Sequence, residues 1–186
     1  YENTDMDSQL LHWKLAINEV KSSLTSGTLR SLVEQKSLNS PKLVENLRYH
    51  DKITRTKLGV GISHVPKDFT LQCNSSQSLA NPVVTKWVDY IATQYQAPDG
   101  LDKVLLLLPC SAKKPYRMSK SHRKFLDAVG NTGFHEVMVT SPLGLVPRDL
   151  EETWPASHYD IPVTGTWSAD ELVRTDGMLK SLIAVS

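Results

Sequence analysis

Cysteine is nearly absent from this chain, at two residues in 186. Neither Cys73 nor Cys110 stands in a zinc-type spacing with the other or with any of the six histidines. Neither a disulfide framework nor a metal centre is therefore expected, and a lone Cys in a reducing compartment is better read as a thiol with its own chemistry. No apolar run reaches the ~18 residues a membrane-spanning helix needs. The N-terminal stretch YENTDMDSQL carries neither the basic region nor the apolar core of a signal peptide, so a cytosolic (cytoplasmic) protein is expected, with no membrane partner. Net charge is only +1, too little to hold a long polyanion by its sum alone. There is no internal repeat and no low-complexity tract. What is present, 40% hydrophobic and 22% charged residues, is the composition of a globular chain. Its length leaves room for one full domain and a smaller element.

The charge is unevenly spread. Lys113, Lys114, Arg117, Lys120, Arg123 and Lys124 crowd one stretch, with no acid until Asp127. They lie in and just after the segment PCSAKKPYRMSKSH, residues 109–122, which follows the apolar run Val104 to Leu108. A buried strand ending in a Cys, then a short basic loop and the first turn of a helix, is how open α/β sheets present reactive groups to a ligand. Most charge runs are solvated helix faces; the position of this one around Cys110 favours an anion-facing patch.

Along the chain, Leu10, Trp13, Ile17, Val20 and Leu24 recur with helical period over Asp7 to Leu24, and Gly27 stands where that helix would stop. A second short helix fits Thr28 to Gln35. Ser40 and Pro41 open a third, with Leu43, Val44 and Leu47 on one side. Residues 1–55 thus form a small helical segment whose narrow apolar faces make a poor core alone. Residues 56–80 read as an irregular crossing or one or two edge strands. Ser78 can cap a helix from Pro82 to Tyr95. The unalternating run Val104 to Leu108 predicts a strand covered on both faces. A helix from Ser119 to Val129 and a strand from Phe134 to Thr140 complete a crossover unit of a mostly parallel sheet. Residues 141–165 form a long loop of the kind that carries function. Ser168 and Glu171 make a capping box ahead of Leu172, Val173, Leu179 and Ile183. The fold class is therefore α/β, with residues 56–186 as the main domain.

The motif can do thiol chemistry. Cations and a helix N-terminus lower a thiol pKa, and Cys110 has Lys113, Lys114 and His122 near in sequence and a helix opening at Ser119. A free Cys is as often a buried, inert core residue, and composition does not decide between the two. Tyr116 and His122 are candidate proton carriers, His122 being better matched to neutral pH. Outside the motif, Gly144 and Gly165 allow close approach of a flat ligand. Arg148 can pair with a phosphate or carboxylate, and Asp160 can act as a base or read an amine. Trp154, Tyr159 and Trp167 can stack on a base, core packing being the default for any one of them.

Those residues carry a resemblance. Pro109 and Cys110, then after three residues Lys114, Pro115 and Tyr116, then Ser119 and His122 each two residues on, fill every position of a signature of the archaeosine synthase family, relatives of the archaeal tRNA-guanine transglycosylases. SPLGLVPRDLE and HYDIPVTGTWS also resemble that family's central domain, so the likeness spans roughly residues 70–186. HWKLAINEVKSSLTSGTLRSLVE is similar to the last helices of the transglycosylase-like barrel preceding that domain. The resemblance implies a three-layer domain similar in fold to uracil-DNA glycosylases. It implies a reaction joining the side-chain amine of free lysine to the nitrile of a cyano-deazaguanine base in the tRNA D-loop, with no cofactor. A separate radical enzyme would then complete archaeosine. It casts Cys110 as nucleophile, Tyr116 or His122 as proton donor, His122 or Asp160 as acceptor of the amine proton, and Lys114 as the cation at the thiolate, with Ser119 in the catalytic group. Pro109, Ser111, Lys113, Pro115, Arg117, Ser141, Gly144, Arg148 and Tyr159 would line the substrate. The family also carries a full barrel and an RNA-binding PUA domain. This chain is then either one subunit beside a partner chain or a piece of a longer polypeptide. The rivals from other classes are a Cys-dependent nucleobase hydrolase or amidase and a non-catalytic base-binding subunit.

Overall fold

The computed structural model describes residues 5–56, 69–101, 103–130, 133–161 and 165–185. Three helices open it as the periodicity predicts: α1 Met6–Thr25, α2 Leu29–Ser37 and α3 Pro41–Thr56. Gly27 turns the chain between the first two at φ +72°, and a Cβ there would meet the Phe69 ring at 3.0 Å. The Ser40 hydroxyl accepts from Leu43 N–H at 3.4 Å ahead of α3. The apolar stripe of α1 faces outward: Leu10, Trp13, Ile17, Val20 and Leu24 are all exposed, Trp13 by 64%. A groove of about 1200 Å³ lies among the three helices, lined by Leu15, Val20, Leu24, Leu32 and Leu43.

A polar cluster joins α2 to α3 and both to the segment after them. The Arg30 guanidinium sits between Glu34 at 2.7 Å and Asp51 at 2.8 Å, both carboxylates being nearly solvent-free. Glu34 in turn accepts from the Ser75 and Ser78 hydroxyls, the latter at 3.0 Å. Of the crossing expected over residues 56–80, positions 57–68 lie outside the described residues. The remainder holds strand β1, Leu71–Gln72, and a 3-10 turn over Ser76–Ala80.

Helix α4, Pro82–Thr93, is capped by Asn81 and not by Ser78. Asn81 directly precedes the proline at the first helical position, and its side-chain oxygen accepts from Val83 N–H at 3.0 Å, while Ser78 closes a capping box with Ser75 one turn earlier. The α4 face of Val83, Val84, Trp87 and Ile91 is buried, and the Trp87 indole donates to Leu145 O at 3.0 Å. Each such aliphatic burial is worth about 1.5–3 kcal/mol. It outweighs the exposed Arg55–Asp89 pair that bridges α3 and α4, which contributes at most about 1 kcal/mol.

Strand β2, Leu105–Pro109, helix α5, Lys120–Val129, and strand β3, His135–Thr140, form the expected parallel unit, with Leu105 beside His135 and Pro109 beside Val139. Strand β4, Gly144–Pro147, returns antiparallel to β3. Strand β5, Tyr159–Asp160, pairs parallel with β1. The described residues thus hold two small sheets, ordered β1-β5 and β2-β3-β4. The architecture is α/β.

A further expectation is corrected. β2 is not covered on both faces: among the described residues it is an edge strand, with Leu107 42% exposed and Leu108 buried. The C-terminal helix α6, Ala169–Val185, starts from the Ser168–Glu171 capping box but leaves Leu172, Val173 and Ile183 exposed. Its contact runs through Met178 and Leu182, because Gly144 on β4 has no Cβ to strike the Met178 sulfur. The loop of 141–165 is partly ordered into β4, a 3-10 turn at Arg148–Leu150, and β5, with 162–164 outside the described residues.

Candidate functional site

Cys110 stands one residue past β2, half-buried at the mouth of the sheet. The loop after it is braced locally. The Ser111 hydroxyl donates to Lys113 O at 3.0 Å, a 3-10 turn covers Tyr116–Met118, and the Ser119 hydroxyl caps α5 by accepting from His122 N–H at 3.1 Å.

Partners fix the protonation of His122. Its Nε2 is 2.9 Å from the Pro109 carbonyl, which can only accept, so Nε2 carries a proton. Its Nδ1 is 3.2 Å from Arg148 Nη2, which can only donate, so Nδ1 is bare. Burial first, and the Arg148 charge second, hold the imidazole pKa below its usual value. The side chain has no exposed surface. His122 therefore offers no free ring nitrogen to a substrate. It holds the carbonyl immediately before Cys110, which moves it from proton carrier to positioning residue.

Behind His122 lies a charged cluster. Arg148 donates to Glu136 through Nε at 2.9 Å and Nη2 at 2.7 Å, and to Glu151 through Nη1 at 3.1 Å. With the contact to His122, four of its five N–H groups are engaged, so Arg148 is an internal clamp with little left for a ligand. Glu151, completely buried, also accepts from the backbone and side chain of Arg117 at 3.0 and 2.7 Å. Arg117 reaches Glu152 as well.

Tyr116 is equally enclosed. Its hydroxyl meets that of Tyr159, which meets Thr140 Oγ1 at 2.6 Å, and burial pushes the Tyr116 phenol up to about 12. Burial also raises Tyr159 well above the ordinary phenol range. The ring face of Tyr159 carries the Lys114 ammonium 4.1 Å from its centroid, so Tyr159 is a cation platform here and not an open surface for stacking a base. Desolvation lowers the Lys114 pKa, with Cys110, Asp160 and Cys73 pulling it back up. Asp160 is exposed. Cys73 is the inert cysteine of the pair: it is buried, and burial drives its thiol up to about 12.

The fold thus brings Pro109, Cys110, Lys114, Pro115, Tyr116, Ser119, His122, Arg148, Tyr159 and Asp160 around one strand end. Ser141 and Gly144 are engaged with α6: the Ser141 hydroxyl donates to Glu171, and Gly144 lies under Met178. Glu136, Glu151 and Thr140 are the members that sequence reasoning missed. Among the described residues no three His, Cys, Asp or Glu side chains gather closely enough to hold a metal ion, and no helix is long and apolar enough to cross a membrane.

Residues 84–186 match a family described as a domain of unknown function, DUF5591. The chain is 40% identical over 97% of its length to a protein named archaeosine synthase subunit alpha from Thermoplasma acidophilum, of which it covers 34%. It is 40% identical over 89% of its length to the protein of the same name from Methanosarcina acetivorans, covering 26% of it. It is 37% identical over 90% of its length to a Haloferax volcanii protein named archaeosine synthase, covering 27%. The chain therefore spans about a third or less of the length of these curated relatives.

Proposed function

Starting from a chain that belongs to the DUF5591 family and resembles archaeal archaeosine synthases along most of its length, we propose that it is the catalytic domain of a cytoplasmic tRNA-modifying enzyme, adding lysine to a nitrile-bearing base. In this reading residues 56–186 are a three-layer, uracil-DNA-glycosylase-like catalytic domain, and residues 1–55 are the end of a transglycosylase-like barrel. The outward apolar face of α1 supports that division, because it leaves a surface for further protein to cover. A partner chain or adjoining domain supplies the rest of the barrel and the PUA domain, and a radical enzyme consumes the product.

The observation that carries the chemistry is the pairing of a half-exposed Cys110 with a desolvated Lys114 in a site whose other proton carriers, Tyr116 and His122, are sealed off. Lys114 takes the thiol proton as Cys110 Sγ forms a bond to the nitrile carbon, and returns it to the nitrile nitrogen, giving a thioimidate. Lys114, neutral again, takes a proton from the ammonium of the substrate lysine. The freed amine adds to the same carbon, the C–S bond breaks, and the leaving thiolate recovers a proton through Lys114. The sum is addition of an amine to a nitrile, giving an amidine with no group lost. Asp160, exposed and close enough to Lys114 to act on its charge, attracts the incoming ammonium in this scheme.

The test is to incubate the protein, with a barrel-bearing partner where needed, with lysine and cyano-deazaguanine tRNA, and to weigh the released nucleoside. A lysine-sized gain is expected. Nitrile hydrolysis or base loss would instead give the hydrolase, and an unchanged nucleoside the binding subunit. The pH profile tests Lys114 separately. Because the neutral amine is the active form and its pKa lies below the ordinary lysine value, the rate should rise with pH and level off below about 10.5. Lys114→Arg keeps the charge but cannot lose it, and should cost roughly 10²–10⁴-fold in kcat. A profile unchanged in that variant would remove Lys114 from proton transfer.

A further inference from the structure

The fold sorts the six cations of residues 113–124 into two groups. Arg117 is bound by Glu151 and Glu152, and Lys114 lies over Tyr159. Lys113, Lys120, Arg123 and Lys124 stay exposed, and none has an ion-pair partner among the described residues. Elsewhere the prominent cations Arg30, Arg55 and Lys180 are paired with carboxylates. Among the described residues outside this stretch, the lysines without an ion-pair partner, at 14, 21, 52, 86 and 103, put no more than two on any one element. The concentration around α5 is thus the exception.

Its geometry is directional. Lys120, Arg123 and Lys124 fall at i, i+3 and i+4, a spacing that puts neighbouring Cβ atoms about 5–6 Å apart on one helix face. His122 projects from the buried side of the same helix to hold the Pro109 carbonyl at 2.9 Å. The exposed cations are therefore mounted on the element that also fixes the residue before Cys110. The other exposed positions of α5, at Ser121, Asp127 and Ala128, are polar or small and offer nothing to insert into a lipid layer.

We propose that Lys120, Arg123 and Lys124, with Lys113 in the preceding loop, form a ridge that contacts successive phosphates of an RNA strand and sets the strand beside Cys110. This rests on the tRNA substrate proposed above. The contacts carry no base information: they fix register and orientation, leaving selection of the base to the pocket. With a net charge of only +1, the binding field is local to this ridge.

The test is the salt dependence of binding of a tRNA transcript to the 186-residue chain by fluorescence anisotropy. Changing Lys113, Lys120, Arg123 and Lys124 together to Ala should reduce the slope of log K against log salt by about 3, at roughly 0.7–0.9 per lost phosphate contact. All four positions are exposed, so the melting curve serves as a check of folding. A control with Lys14, Lys21 and Lys52 changed to Ala should keep the parent slope. An unchanged slope in the ridge variant, an equal drop in the control, no RNA binding by the parent chain at low salt, or binding to phosphatidylserine vesicles in place of RNA would each overturn the ridge. A chain that binds RNA through the ridge but forms no lysine adduct overturns the proposed reaction alone. Adduct formation with an unchanged slope overturns the ridge alone.

Discussion

Cys110→Ser should abolish adduct formation, lowering kcat by about 10³-fold or more while leaving the thermal midpoint within a degree or two of the parent. A serine hydroxyl at the same position is a far weaker nucleophile than a thiol whose proton Lys114 can take, so the covalent step stops. Cys110 is half-buried, and exchange of sulfur for oxygen at a partly open position leaves no large cavity. The thioimidate should be visible directly: rapid quenching of the parent protein with cyano-base tRNA and no lysine should give a protein–RNA covalent species that free thiol dissolves. If Cys110→Ser turns over at near the parent rate, the covalent route is out. Direct attack by lysine, with Cys110 only orienting the nitrile, would then take its place.

The second large effect is on stability. Glu151→Gln should destabilise the protein by about 3–5 kcal/mol, the usual cost of breaking a buried ion pair from one side. Glu151 has no exposed surface, and its two oxygens receive Arg117 N–H, the Arg117 guanidinium and Arg148 Nη1. An amide would leave the Arg148 charge, itself only 14% exposed, underpaired, and would turn an NH₂ group toward donors. In a domain of this size that loss lowers Tm by roughly 6–20 °C. Glu152→Gln is the control. Glu152 is 60% exposed and touches only Arg117 of these groups, so it should cost less than about 1 kcal/mol. Urea unfolding of the two variants decides the matter; near-equal midpoints would mean that Glu151 is not the keystone of this cluster. Alkylation of Cys110 should also quicken in Glu151→Gln, since the clamp on His122, and through it on the Pro109 carbonyl, is loosened.

Much of the local structure could be read from the sequence, because it depends on local chemistry. Ser40 with Pro41, Ser119 with the turn of α5, and the Ser168–Glu171 box each satisfy helix N–H groups within four residues of themselves, and each stands where capping rules put it. The motif loop was equally legible as a strand end leading into a helix. What failed depended on partners far along the chain. The leucines of β2 look fully covered, yet nothing in a run of identical residues tells an edge strand from a central one. Which side of α6 meets the sheet is decided by the missing side chain at Gly144, on a different element. Tyr116 and His122 have the right chemistry for proton transfer, but their neighbours Tyr159 and Arg148 lie 43 and 26 residues away and take up those groups. Glu136 lies in the predicted strand and Glu151 in the long loop, and neither position by itself shows that it pairs with Arg148. The one available signal was an arginine followed three residues later by a glutamate, and that spacing is common on exposed turns.

The order in which the ribosome makes these residues adds a constraint of its own. The loop of residues 109–122 leaves the tunnel ahead of the long-range groups described above that hold it: Glu136, Arg148, Glu151 and Tyr159 are all translated later. Domains generally take shape as their chain emerges, but this loop cannot. For the time needed to add some forty residues, its thiol is carried on an unclamped segment, open to oxidation and to wrong partners.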